Sequence, residues 1–331
     1  MKIALDAMGG DNAPVVTVQG AVWAARDFNI EIQLVGKPEV IQAELARYDA
    51  SSLPLQVIPA SEVIEMVDQP AAAVKAKKDA SMTVALRSLK EGRCDACVTA
   101  GNSGGALASA LFTLKRIPGI KRPALSTVYP TASEYGRCFL LDVGANADVK
   151  PEYLLQFGLM GSHYAERVLS IPTPRVGLVS NGEEDGKGSI LVQETARLMK
   201  ASDLNFIGNV EGKDIPAGLA DVVVTDGFTG NVLLKASEGV GRFLMETFKQ
   251  EVRARPVAAV VSAVLLRGAF KALEKKIDYR EFGGGALLGV NGVVVVAHGR
   301  SDAYAIRNAL HLAKQSVEQD IIGAIKSGLN A

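Results

Sequence analysis

Cysteine is scarce in this chain, neither charge is in excess, and no apolar run is long enough to cross a bilayer. Three cysteines among 331 residues cannot build a disulfide framework, which points to a reducing, cytoplasmic setting. Thirty-six Lys and Arg offset 36 Asp and Glu. A balance of zero excludes a general nucleic-acid binder, since following a phosphate backbone takes a basic surplus. The start, Met1-Lys-Ile-Ala-Leu-Asp6, meets an acid too early for an export signal. The apolar run Val257–Leu266 covers ten residues with one Ser inside, against roughly 20 for a membrane-spanning helix. What the chain does have is apolar content of 48%, too high for disorder and ample for a core.

Short β-rich runs alternate with helical patterns throughout. Strands are expected at Lys2–Leu5, Glu31–Val35, Leu55–Ile58, Ala96–Thr99, Phe139–Val143, Val176–Ser180, Asn205–Ile207, Val222–Thr225 and Val293–Ala297. Several are continuous apolar runs, as in a parallel sheet buried on both faces. Helical spacing falls at Pro14–Phe28, Pro38–Tyr48, Met82–Glu91, Gly104–Lys115, Glu152–Val168, Ile190–Ala201, Gly230–Glu251 and Asp302–Ile325. This order predicts an α/β fold, a parallel or mixed sheet covered by helices in three layers. No linker divides residues 1–331, which read as a single α/β domain of one or two lobes.

The distinctive polar residues follow the strands. They are Asp6-Ala-Met-Gly9-Gly10-Asp11, Asn102-Ser103-Gly104, Asp142-Val-Gly-Ala-Asn146, Ser180-Asn181 through Lys187-Gly188-Ser189, and Thr225-Asp226-Gly-Phe-Thr229-Gly-Asn231. Ligands of open α/β sheets bind outside the carboxyl ends of strands, so these five loops are expected to face one cleft. One Gly/Asn loop is more often a turn and helix cap; five together favour a site. No Gly-x-Gly-x-x-Gly appears, so a dinucleotide is not expected. Gly182-Glu-Glu-Asp-Gly-Lys187-Gly188 is one residue short of a Walker A loop and has Gly where Ser or Thr would bind Mg²⁺. What remains suits a small phosphate: N–H groups bared by glycine, and one lysine. Neither a cofactor nor a metal is expected.

Other candidates weigh less. Cys94-Asp-Ala-Cys97 stands alone and runs into a buried strand, so it reads as structural. His163 and His311 lie in helical patterns and read as bystanders, whereas His298 ends an apolar strand and is the one site histidine. No serine triad or nucleophile elbow can be assembled. The segment 249–276 carries seven basic residues and two acids among Val257, Val260, Val261, Val264, Leu265, Phe270 and Leu273. It reads either as an interfacial helical segment for an anionic membrane or as a subunit-interface or core helix with a solvated basic face.

Taken in order, these loops, with Gly208-Asn-Val-Glu-Gly212 and Ala297-His-Gly299, resemble the bacterial phosphate acyltransferases of the PlsX type along essentially the whole chain. The resemblance implies a fold like the isocitrate and isopropylmalate dehydrogenases, a homodimer, and a cytoplasmic enzyme peripheral to the inner face of the membrane. It implies transfer of a fatty acyl group from acyl-carrier protein to inorganic phosphate, with the acyl phosphate passing to a glycerol-phosphate acyltransferase in phospholipid synthesis. Phosphate is itself the nucleophile, which is consistent with the missing triad. Lys187 and Asn231 are then the expected catalytic pair, holding phosphate and the tetrahedral oxyanion. Asp6, Gly9, Gly10, Asn102, Ser103, Asn146, Asn181, Asp226, Thr229 and His298 are expected around the substrates. The rival readings are a phosphotransacetylase-like enzyme using acyl-coenzyme A and a non-enzymatic membrane-associated scaffold.

Overall fold

The computed structural model describes residues 1–255, 268, 272 and 278–329. The chain opens with strands β1 (Lys2–Asp6), β2 (Glu31–Gly36), β3 (Leu55–Pro59) and β4 (Ala96–Thr99). Helices α1 (Val15–Phe28), α2 (Pro38–Leu45), α3 (Pro70–Ala76), α4 (Ser81–Lys90) and α5 (Ser103–Thr113) connect and follow them. The middle adds β5 (Ala124–Pro130), β6 (Arg137–Leu141), β7 (Val176–Val179), β8 (Phe206–Val210) and β9 (Val222–Val224). With these come α6 (Pro151–Arg167), α7 (Ile190–Lys200), the short α8 (Asp214–Ala217) and the 27-residue α9 (Gly227–Arg253). Strands β10 (Gly285–Leu288) and β11 (Val293–Val296) and helices α10 (Ala303–Glu318) and α11 (Ile321–Gly328) complete the described chain. Beyond residue 255, the basic segment 249–276 lies outside the described residues except for Gly268 and Ala272.

The expected α/β architecture is present. One 11-stranded sheet runs in the order β3-β2-β1-β4-β11-β10-β5-β6-β9-β7-β8. Side chains alternate across it with the period of two that a strand imposes. Ile3 and Leu5, Phe139 and Leu141, Val222 and Val224, and Val293 and Val295 all face one continuous core. On the other face Ala4, Val294 and Val296 join Met82, Val84 and Ala106 of α4 and α5. Cys138, Leu140 and Val223 form a separate core on that face, with Leu233 and Leu234 of α9 packed against it. One face is thus unbroken while the other is covered in two patches, and Leu125 of β5 touches both.

Two strands escaped the sequence reading, β5 and β10, and they decide the layout. β11, β4, β1, β2 and β3 are mutually parallel. β10 is antiparallel to both β11 and β5, and β5 is antiparallel to β6. Three successive reversals leave β6, β9, β7 and β8, parallel among themselves, pointing opposite to the first group. β10 hides in a glycine-rich stretch because its backbone must pass close to β5. A Cβ on Gly285 would overlap the carbonyl oxygen of Ser126. The helix expected at Asp302–Ile325 is broken at Asp320, which adopts φ 44° and caps α11 by accepting a hydrogen bond from the Gly323 N–H.

Candidate active site

Because the strand direction reverses at β10 and β5, the five polar loops do not share one sheet edge. Asp6, Gly9, Gly10, Asn102, Ser103 and His298 stand at the ends of β1, β4 and β11. Asn146, Asn181, Lys187, Asp226, Thr229 and Asn231 stand at the ends of β6, β7 and β9, at the opposite edge. Helix α9 connects the two groups. Asn231 is its fifth residue, and seven residues further on Glu238 forms a 2.7 Å ion pair with Arg300 in the loop after β11. At 1.5 Å per residue that is a span of about 10 Å.

The second group is built around Asp142, which the sequence reading treated only as part of a loop. Its carboxylate is fully buried. Oδ1 accepts from the N–H groups of Gly144 (3.0 Å), Ala145 (2.9 Å) and Leu125 (3.1 Å). Oδ2 accepts from the backbone N–H of Asn146 (2.7 Å) and from its Nδ2 (2.8 Å). Burial raises the Asp142 carboxyl above its ordinary pKa, and these donors pull it back. The loop so shaped receives the start of α9. Gly227 N–H donates to the Asn146 carbonyl at 2.7 Å, and Asn231 Nδ2 donates to the Val143 carbonyl at 3.0 Å. A Cβ on Gly230 would overlap the Asp142 carbonyl oxygen, so only glycine allows the helix this close. Asp226 caps α9, its carboxylate accepting from Thr229 N–H (2.8 Å) and from Thr229 Oγ1 (2.7 Å). Both residues therefore shape the turn that presents Asn231. The second Nδ2 hydrogen and Oδ1 of Asn231 have no partner among the described residues.

β7 lies next to β9, so the 180–189 loop neighbours the start of α9. Asn181 Oδ1 accepts from Gly188 N–H at 3.0 Å and folds the loop back on itself. Gly188, at φ +90°, takes a conformation that side chains resist. Gln193 Nε2 donates to the Gly186 and Gly188 carbonyls at 2.9 and 3.2 Å. The flanking acids are occupied: Asp185 pairs with Lys200, and Glu183 and Glu211 share Lys213. Lys187 is exposed and has no ion pair among the described residues. Beneath this loop the buried Ser180 Oγ and Asn209 Oδ1 lack any hydrogen-bond partner. Buried polar atoms are seldom left so. The groups here that can receive a small oxyanion are the exposed Lys187 ammonium and, on the neighbouring element, the spare Nδ2 hydrogen of Asn231, whereas Asn209 Oδ1 is a sealed acceptor. Glu183, Glu211 and Asp214 bring carboxylate oxygens within 4.8 Å of one another, but the Lys213 ammonium already serves two of them.

In the first group Asp6 plays a part parallel to that of Asp142. Its buried carboxylate accepts from Thr99 Oγ1 at 2.7 Å and from Met8 N–H at 3.3 Å, and burial raises its pKa. A Cβ on Gly9 would crowd the Asp6 carboxylate. Gly10, at φ +111°, leads into Asp11, whose N–H donates to the Gly299 carbonyl at 2.8 Å. Asn102 is fully used in shaping this edge. Its Oδ1 accepts from Gly105 N–H at 3.0 Å, while Nδ2 faces the carbonyls of Glu65, Met66 and Asp68 at 3.1–3.3 Å. Ser103 is exposed at the first turn of α5. His298 is half-buried, and desolvation lowers its pKa so that the neutral imidazole is favoured. Cys94 and Cys97 are buried, with burial pushing the Cys94 thiol up to about 11. Neither is a poised nucleophile. Among the described residues no helix is long and apolar enough to cross a membrane.

Comparison with known proteins places the chain. The family model described as "Fatty acid synthesis protein" matches residues 1–324. A curated phosphate acyltransferase of Dictyoglomus turgidum is 49% identical over 331 residues, covering 100% of this chain and 98% of its own. The phosphate acyltransferase of Geobacter sulfurreducens is 46% identical over 321 residues, covering 97% and 92%. Among solved structures, a phosphotransacetylase from Streptococcus pyogenes superposes with a TM-score of 0.65 at 17% identity, covering 100% of this chain and 94% of its own. A 4-hydroxythreonine-4-phosphate dehydrogenase from Klebsiella pneumoniae gives 0.53 at 13%, covering 95% and 99%. At such identities these two structures share the fold with this chain.

Proposed function

The chain belongs to the fatty acid synthesis protein family as a phosphate acyltransferase, and we propose that the loops around Lys187 and Asn231 hold the phosphate it acylates. The observation that carries this is the Lys187 loop itself, an exposed cation with no ion pair among the described residues in a glycine-rich loop after β7, the strand beside β9, after which α9 presents Asn231 with one Nδ2 hydrogen to spare. Transfer needs three things: a cradle for phosphate, a donor for the tetrahedral oxyanion, and alignment of the two reactants. Lys187 supplies charge for the first and Asn231 a hydrogen bond for the second. A phosphate oxygen attacks the thioester carbonyl carbon, the C–O bond forms, and the C–S bond breaks as the tetrahedral intermediate collapses. The proton carried by hydrogen phosphate passes to the departing thiolate, so no protein nucleophile is required. Asp142, Asn146, Asp226 and Thr229 act by placing Asn231, and Asn181 by folding the Lys187 loop. The first-group residues, about 10 Å along α9 from Asn231, are assigned to the parts of the acyl donor away from its thioester carbonyl.

Lys187→Ala and Asn231→Ala should each lower formation of hydroxylamine-trappable acyl phosphate by about 10²–10³-fold, the usual effect of losing one oxyanion donor. Near-normal rates in both variants would remove the assignment. The acyl donor we favour is acyl-carrier protein, and the same assay run with acyl-coenzyme A separates this from a phosphotransacetylase-like donor preference. The non-enzymatic scaffold gives way to the acyltransferase, since full-length relatives at 46–49% identity are phosphate acyltransferases.

The further reading is of a cytoplasmic homodimer, peripheral to the inner face of the membrane, that passes acyl phosphate to a glycerol-phosphate acyltransferase. Membrane contact rests on the seven cations and the apolar residues of 249–276. A Val260→Asp/Leu265→Asp variant that folds and retains activity should lose flotation with anionic liposomes. Unchanged flotation would refute the interfacial role.

A further inference from the structure

Between α5 and β5 the chain runs Lys115-Arg116-Ile-Pro-Gly-Ile-Lys121-Arg122, four cations in eight residues without an acid. All four are exposed, and none has an ion pair among the described residues. The loop is held from beneath. Ile117 and Ile120 are buried, the Ile117 N–H donates to the Gly289 carbonyl, and the Asn291 N–H donates to the Lys115 carbonyl, both at 3.0 Å. Gln156 of α6 fixes the far end, its Oε1 accepting from Lys121 N–H at 2.8 Å and its Nε2 donating to the Gly119 carbonyl at 2.9 Å. The Arg116 guanidinium donates to the Lys121 carbonyl, and Arg122 lies 6.0 Å from the Tyr153 ring centroid. Lys115, just past the end of α5, sits at φ 64°, where glycine is the usual residue and a lysine brings its side chain at a conformational cost. The Lys115 and Lys121 ammonium groups have no partner among the described residues. This loop borders the second group. The Pro123 carbonyl accepts from Asn146 Nδ2 at 2.7 Å. Leu125 receives the Val143 N–H at 2.9 Å, and the Val143 carbonyl in turn holds Asn231. From Leu125 back to Arg122 is three residues, about 10 Å of extended chain. The acids of the adjoining 147–153 stretch are Asp148 and Glu152, with Lys150 between them.

We propose that residues 115–122 are the docking surface for the acidic face of the acyl-carrier protein, setting the carrier body at this rim while its thioester reaches Asn231. Exposed cations on a fixed loop beside a site that takes a thioester complement an acidic protein surface and speed its encounter. No large apolar side chain of the loop is exposed, so it has nothing to insert into a bilayer. The proposal rests on the carrier protein being the acyl donor, a reading that the wild-type chain tests by itself.

Acyl-phosphate formation is measured over a range of acyl-carrier protein for the full-length wild type and for Lys115→Glu/Lys121→Glu. The variant should raise KM for the carrier about tenfold or more at low ionic strength, and the difference should shrink in about 0.5 M salt. KM for inorganic phosphate should not follow. Lys115→Gln/Lys121→Gln, which removes the charges without reversing them, should give a smaller rise of the same kind and serves if the reversal does not fold. Lys37→Glu/Arg167→Glu makes the same change of charge at exposed positions before α2 and at the end of α6, and should leave KM for the carrier as in the wild type. A wild-type chain that does not use acyl-carrier protein would remove the donor reading and this proposal with it. Wild-type use of the carrier, with the same KM in folded Lys115→Glu/Lys121→Glu, would overturn the docking surface alone, whether or not that variant lost flotation with anionic liposomes. A rise in KM confined to phosphate would overturn it too.

Discussion

Two buried aspartates at strand ends set the loops on which the site depends. Asp142 collects five hydrogen bonds from one loop and its neighbour strand. It therefore decides where Val143 lies, and through Val143 where Asn231 is held. Asparagine has the same shape but brings an amide against N–H groups that need an acceptor. Asp142→Asn should cost about 2–3 kcal/mol in urea unfolding and should lower acyl-phosphate formation as well. A variant that is as stable and as active as the parent would show that the loop does not rely on this carboxylate. The sequence marks such residues only faintly. Asp6-Ala-Met-Gly-Gly and Asp142-Val-Gly-Ala-Asn both place an acid just after an apolar run and a glycine two or three residues on. Burial, which gives Asp142 its role, is invisible in that pattern. Ser180 and Asn209 stand in the quoted motifs, but that their buried oxygens lack a partner is a property of the packed state.

At the level of elements, the apolar runs located nine of the strands, β4 at both its ends and the others with boundaries off by one to three residues. The runs that lie between parallel neighbours are continuous and easily seen, as in Val222–Val224 and Val293–Val296. β5 and β10 carry no such signal. β5 begins as an alternation of buried and half-buried residues between Pro123 and Pro130, and β10 opens with a glycine required by its closeness to β5. Gly285→Ala should therefore destabilise the protein by about 1–3 kcal/mol, the range for overpacking a tight interior. Gly186→Ala, where a Cβ meets nothing within 4 Å, should leave the thermal midpoint unchanged and serves as its control. Equal midpoints for the two variants would mean that the β10–β5 approach is not the tight contact described.

At the scale of the whole molecule, α9 links the two loop groups and also leaves an apolar face that the described residues do not cover. Phe228 and Phe243 are 67% and 65% exposed, and Val232, Val240 and Leu244 are exposed beside them. An apolar stripe of this length on one helix is characteristic of an interaction surface, which is what the proposed homodimer requires. Phe243→Glu/Leu244→Glu should shift the sedimentation of the protein from dimer to monomer. A wild-type chain that sediments as a monomer, or a variant that remains dimeric, would remove α9 from the interface. The net charge of zero hides a different asymmetry. Cations crowd 249–276 while Glu183, Glu184 and Asp185 cluster on another loop, so an acidic carrier protein and an anionic membrane are compatible with a neutral chain.

By itself the sequence determined that the chain is α/β, where most elements fall, which loops carry the polar residues, and the resemblance to the phosphate acyltransferases. These are local properties: apolar periodicity, glycine and asparagine after strands, and motifs in a fixed order. Only the tertiary structure decided that the loops divide between two edges of one sheet, because strand direction is set by hydrogen bonding to partners far away in the chain. β10 pairs with β5 across some 160 residues, and those pairings turn the sheet around. A reading along the chain detects each strand's burial but not its neighbour. That is why the strand ends that carry the polar loops fall into two sets along the sheet, linked by α9.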